Sequence, residues 1–103
     1  MLFIFEMANN HMGDVAHGKR IIRELRAACT GFDFRFAVKL QYRHLPEFIH
    51  PDYRQRTDLK FVKRFSETFL SWDDYRRLKD AIVEAAFLSM CTPWDEASVD
   101  KVV

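Results

Sequence analysis

Short apolar runs alternate with amphipathic stretches along this chain, and that alternation constrains its fold more than any other feature. Residues 2–8, Leu-Phe-Ile-Phe-Glu-Met-Ala, form a run too short for a buried helix. Such a run suits a strand covered on both faces, as in a parallel sheet. Asn9, Asn10, His11 and Gly13 break it. Asp14 then stands at an N-cap position before Val15, Gly18, Ile22, Leu25 and Cys29, spaced by threes and fours. That stripe predicts a helix over 15–29. Residues 34–42 predict a second strand, with Phe36, Val38 and Leu40 on one face and Ala37, Lys39 and Gln41 on the other.

Residues 43–57 hold Pro46, Pro51 and scattered charges, and are expected to form an excursion loop. Leu59, Val62, Phe65 and Phe69 predict a short helix. Ser71, with Asp74 three residues on, predicts a capping box for a helix whose stripe is Trp72, Tyr75, Leu78, Ile82 and Ala85. Residues 87–92 predict a third strand. After Pro93 and Trp94, Asp95 is placed to cap a helix that has only begun at Val103. The order is strand, helix, strand, helices, strand, start of helix. It predicts an α/β fold with parallel strands and right-handed crossovers.

Composition excludes several function classes. Sixteen Lys and Arg against fifteen Asp and Glu leave a net charge of +1. That removes the simplest argument for a nucleic-acid partner. No apolar stretch approaches the roughly 20 residues of a membrane span. The apolar start is stopped by Glu6, too early for a signal peptide, so a cytoplasmic location is expected. Cys29 and Cys91 lack metal-ligand spacing and read as small apolar residues, not as a bridge.

In parallel α/β sheets, ligands sit at the carboxyl ends of strands. The first strand offers Glu6 and then Asn10 and His11. The second offers Lys39 and Gln41, and the third Thr92. Glu6 and Lys39 are costly among apolar neighbours unless paired or liganded. They are either a structural ion pair or part of a site. Asn10 and His11 are either turn-formers or ligand contacts. Arg54, Arg56, Lys60, Lys63 and Arg64 read as a solvated helix face more readily than as an anion site. His17, His44 and His50 have no metal-ligand pairing, and no glycine-rich phosphate loop occurs.

Three segments together carry a family resemblance. The stretch from Glu6 to Gly13 resembles the E-I-x-x-N-H-x-G motif that opens the sialic acid synthase (N-acetylneuraminate synthase) family. Val38 to Gln41 resembles its V-K-x-Q motif, and Thr92 to Asp100 its T-P-F-D-x-x-S-V-D motif. The resemblance runs over all 103 residues. It is nearest to the branch of spore coat polysaccharide biosynthesis proteins, through the stretch from Lys63 to Glu67.

The resemblance implies a TIM (β/α)8 barrel, of which residues 1–103 would be about three N-terminal βα units. A full barrel needs about 250 residues, so the chain is expected to be a fragment, inactive alone. The family condenses phosphoenolpyruvate with an N-acylmannosamine-like aldose to give a nonulosonic acid. The phosphoenolpyruvate methylene carbon attacks the aldehyde, water adds, and phosphate leaves with C–O cleavage. A divalent metal, manganese or magnesium, polarises the aldehyde, and its ligands are expected outside this chain.

By motif, Glu6 and Lys39 take catalytic roles, and Asn10, His11, Gln41 and Thr92 contact substrate. Tyr42 and Arg43 stand where typical synthases carry Thr and an aromatic residue. The expected partners are these small molecules and a second copy of the chain, with neither nucleic acid nor membrane. Two other classes stay open at this point. One is an interaction or oligomerisation module using open strand edges. The other is a different phosphoenolpyruvate-dependent, aldolase-type barrel.

Overall fold

The computed structural model describes residues 1–102, with side chains outside positions 46 and 47. Three strands form one sheet in the order β1 (Leu2–Glu6), β2 (Arg35–Tyr42), β3 (Leu88–Pro93). Both pairings are parallel. The β1 to β2 crossover is α1 (Val15–Ala28). The β2 to β3 crossover holds α2 (Leu45–Phe48), a 3-10 turn at Pro51–Tyr53, α3 (Lys60–Glu67) and α4 (Trp72–Glu84). A last helix, α5 (Glu96–Val102), follows β3. The expected ending on Val103 lies outside the described residues.

α1 and α4 pack on each other, so both crossovers lie on one face of the sheet. Sequential strand order with helices on one face is how successive βα units of a barrel are laid out. A doubly wound sheet instead reverses its order at a switch point and carries helices on both faces. The sheet is therefore a partial fold of the barrel type, as the resemblance implies, with the parallel strands that the alternation predicts.

The side-chain period of two sorts the strands cleanly. Phe5, Phe36, Val38, Leu40 and Tyr42 face the helices and join a core with Ile22, Leu70, Tyr75, Leu78, Ile82 and Phe87. Tyr75, Leu78 and Ile82 recur along α4 at helical spacing, and each is buried. Full burial of such side chains contributes about 1.5–3 kcal/mol apiece. Gly18 sits in mid-helix because α1 comes close to α4 there. A Cβ on it would stand 2.7 Å from Leu78 Cδ2 and 3.3 Å from His11 Cβ.

Both predicted caps form. Asp14 accepts from the Ala16 and His17 amides. Ser71 and Asp74 exchange hydrogen bonds as a capping box. The expected excursion loop is partly ordered into α2 and the 3-10 turn. Phe48 seals it by ring contacts with Phe65 and Trp94 at 5.0 and 5.6 Å.

The opposite sheet face carries Leu2, Ile4 and Glu6, then Ala37, Lys39 and Gln41, then Leu88, Met90 and Thr92, by alternation and register. Ala37 lies between Ile4 and Leu88 in register and is buried. The apolar side chains around it are exposed, Ile4 and Leu88 both by 43%. Among the described residues no second layer covers this face.

Candidate functional site

Glu6 ends β1 on the open face, and its register partner is Lys39 on β2. Lys39 Nζ donates to Glu6 Oε1 at 2.7 Å. Two residues on, Gln41 returns to the same face, with Thr92 of β3 as its register partner. Four of the six sequence-predicted residues thus occupy adjacent positions on three strands, all at the carboxyl ends. That is the end at which parallel α/β sheets hold ligands.

The environment of the ion pair differs from the sequence expectation. Apolar neighbours predict a buried pair, yet the two side chains are 52% and 28% exposed for Glu6 and Lys39. Those neighbours face the helices, whereas the pair stands on the uncovered side. Its ammonium and carboxylate are open to an incoming ligand.

The turn after β1 places the other two residues. It is tight: Asn10 N–H bonds Met7 O, Met12 N–H bonds Asn9 O, and Asp14 N–H bonds His11 O, all within 3.0 Å. Ala8, Met12 and Gly13 take positive φ values of 48°, 57° and 72°. A Cβ on Gly13 would also meet the Glu67 and Phe69 carbonyls at 3.0 and 3.2 Å, so only glycine fits. Asn10 is exposed at the tip. His11 points into the protein and is fully buried, edge-on to Tyr75 with ring centroids 6.4 Å apart. Its Nδ1 accepts the Gly13 N–H at 3.0 Å. Burial first, and then the nearby Arg43 and Arg64 charges, lower its pKa to about 4.

Two residues outside the predicted set also stand at this end of the sheet. Arg43, just past β2, is buried with its guanidinium 4.7 Å over the Phe65 ring. Its place two residues after the V-K-x-Q segment, where it departs from the usual aromatic residue, is the one signal in the sequence. Asp95 caps α5 through the Ser98 N–H at 2.8 Å and also takes the His44 N–H at 2.6 Å. It thereby ties the end of β2 to the start of α5, a bond no spacing rule reveals.

Arg54, Arg56, Lys60, Lys63 and Arg64 are exposed. Arg56 pairs with Asp58 at 2.8 Å, and Lys63 approaches Glu67 at 3.9 Å. Cys29 and Cys91 are free thiols. Cys29 is buried, whereas Cys91 is half-buried, and desolvation pushes its thiol up to about 11. Among the described residues no group of three or more His, Cys, Asp or Glu is placed to hold a metal ion. Among the described residues no helix is long and apolar enough to cross a membrane.

No family model and no curated protein match the chain. Solved structures do. One is the crystal structure of a protein from Chromobacterium violaceum ATCC 12472, provisionally named spore coat polysaccharide biosynthesis protein E. It superposes with a TM-score of 0.94 at 52% identity over 98% of this chain. The chain is a relative of that protein. This bears out the spore coat branch of the resemblance carried by the three motifs. The chain spans 30% of the length of the Chromobacterium violaceum protein.

Proposed function

We propose that this chain supplies the anion-holding part of a biosynthetic enzyme of surface polysaccharide. The reaction is condensation of phosphoenolpyruvate with an N-acylmannosamine-like aldose to a nonulosonic acid. The observation that carries this reading is the grouping of Glu6, Lys39, Gln41 and Thr92 on one open face at the strand carboxyl ends. The name of the 52% identical Chromobacterium violaceum protein supports the biosynthetic setting.

Lys39 is the point charge for the phosphate or carboxylate of phosphoenolpyruvate. Thr92 and Gln41 donate hydrogen bonds to the same anion. Glu6 holds the Lys39 ammonium in place before substrate arrives. Its free carboxylate oxygen is the group that accepts or returns a proton at the sugar or the attacking water. Asn10 and His11 shape the first loop beside them. The resemblance also implies a manganese or magnesium ion that polarises the aldehyde. The described residues do not provide its donor set, so its ligands are assigned to residues other than these.

The test is turnover of phosphoenolpyruvate and N-acetylmannosamine by the intact protein, followed as phosphate release. Wild type should release phosphate only when both substrates are present. Lys39→Met should raise KM for phosphoenolpyruvate. Phosphate release without an aldose would point instead to a different phosphoenolpyruvate chemistry.

The exposed Leu2, Ile4, Leu88 and Met90 favour a second reading, in which this face and the outer edges of β1 and β3 dock a second copy. Sedimentation at several concentrations checks it. A monomer at every concentration would count against it.

A further inference from the structure

The Arg43 side chain raises a question the proposed reaction does not answer. It is only 3% exposed. Among the described residues no carboxylate lies within ion-pair distance of it. Its Nη2 reaches the Thr68 hydroxyl at 3.4 Å, while its Nε and Nη1 have no hydrogen-bond partner. Phe65 covers one face of the guanidinium. Charged side chains are almost never buried this far without a counter-charge. A buried charge without a partner is strongly destabilising, because nothing compensates its lost hydration.

A second orphaned donor belongs to the same neighbourhood. His11 is fully buried and neutral, and its Nδ1 is engaged as an acceptor from Gly13 N–H. The ring proton must therefore sit on Nε2. That Nε2 is buried and has no partner. Tyr75 lies against both residues, edge-on to the His11 ring and with its hydroxyl at the Arg43 guanidinium. Arg64 of α3 adds a further positive charge that both groups feel. Arg43 and His11 thus hold orphaned donors near one another, with an added cation and no acid to balance them.

We propose that Arg43 and the Nε2–H of His11 form a binding site for an oxyanion, a phosphate or carboxylate group, under α3 at the carboxyl end of β2. Arg43 supplies the charge and a planar fork of donors suited to such groups. His11 supplies one neutral donor, and Arg64 at the surface draws the anion in. The site requires none of Glu6, Lys39, Gln41 or Thr92, so it stands or falls apart from the reaction proposed above.

The experiment follows the Arg43 Nε–H and His11 ring nitrogens by NMR in the intact, 15N-labelled protein. Inorganic phosphate and acetate are titrated separately against sodium chloride of equal ionic strength. The expected result is a saturable shift of both signals with phosphate, acetate or both, and none with chloride. Whichever anion saturates at lower concentration names the source. Arg43→Met should abolish the His11 response, whereas Lys39→Met should leave it intact. Should Arg43→Met fail to fold, Arg64→Gln tests the same site from the surface. It should weaken binding about 2- to 5-fold, the value of one exposed charge. Signals in wild type that move with neither anion would overturn the proposal. So would a His11 response unchanged in a folded Arg43→Met.

Discussion

Replacing Lys39 by Met separates folding from binding. Lys39 Nζ lies 2.7 Å from Glu6 Oε1, with the two side chains 28% and 52% exposed. An ion pair so open to water contributes about 0.2–1 kcal/mol to stability. Met keeps an unbranched stem of similar length, so little packing is lost with the charge. The variant should therefore cost under about 1 kcal/mol, a few degrees in Tm. Its effect on ligand binding should be larger. A hydrogen bond to a charged group is worth about 1.5–3 kcal/mol, so affinity for phosphoenolpyruvate should fall roughly 10- to 150-fold. The assay is calorimetric titration of phosphoenolpyruvate into the intact protein, with urea unfolding of both forms beside it. Loss of several kcal/mol of stability would make Lys39 a structural residue. Unchanged affinity would remove it from the site.

Three further predictions follow from packing, capping and charge. Gly18→Ala should destabilise by about 1–3 kcal/mol, because its Cβ would stand 2.7 Å from Leu78 Cδ2; unfolding that shows no loss would mean that α1 and α4 are not in close contact. Ser71→Ala should remove the α4 capping box at a cost of about 1 kcal/mol in urea unfolding, and an unchanged midpoint would contradict it. His11 is held neutral in the fold, with its pKa lowered to about 4 from 6.5. The unfolded chain takes up that proton first, so stability should be full above pH 6.5 and fall by a few kcal/mol as pH drops towards 4. His11→Gln should flatten that slope, and equal slopes in the two proteins would refute the assignment.

Much of the fold was legible because local signals agreed with one another. The period of two in residues 34–42 separated Val38 and Leu40 from Lys39 and Gln41, and the structure keeps that division. Asp14 and Ser71 marked helix starts by chemistry that needs no tertiary partner. The stripe of Tyr75, Leu78 and Ile82 marked the buried side of α4.

Other features depend on who meets whom across the chain, and no local pattern encodes that. The sequence placed Gly18 in the apolar stripe of α1 but gave no hint that Leu78, 60 residues away, explains it. Residues 43–57 read as an excursion loop in sequence because the ring contacts of Phe48 with Phe65 and Trp94 come from distant segments. Asn10 and His11 are adjacent in sequence, yet the tight turn points one outward and the other into the core. The sequence marks Arg43 only as a departure from the motif pattern it otherwise resembles, and a lone arginine after a strand is ordinary. Only its burial makes it exceptional.

We propose that the carboxyl ends of the three strands, on the face away from the helices, hold the anionic substrate. A phosphoenolpyruvate titration of the intact protein, followed residue by residue by heteronuclear NMR, tests it most directly. Saturable shifts concentrated at Glu6, Lys39, Gln41 and Thr92 are expected. Shifts confined to the exposed Arg54 to Arg64 segment, or no saturable shift on the open face, would contradict it.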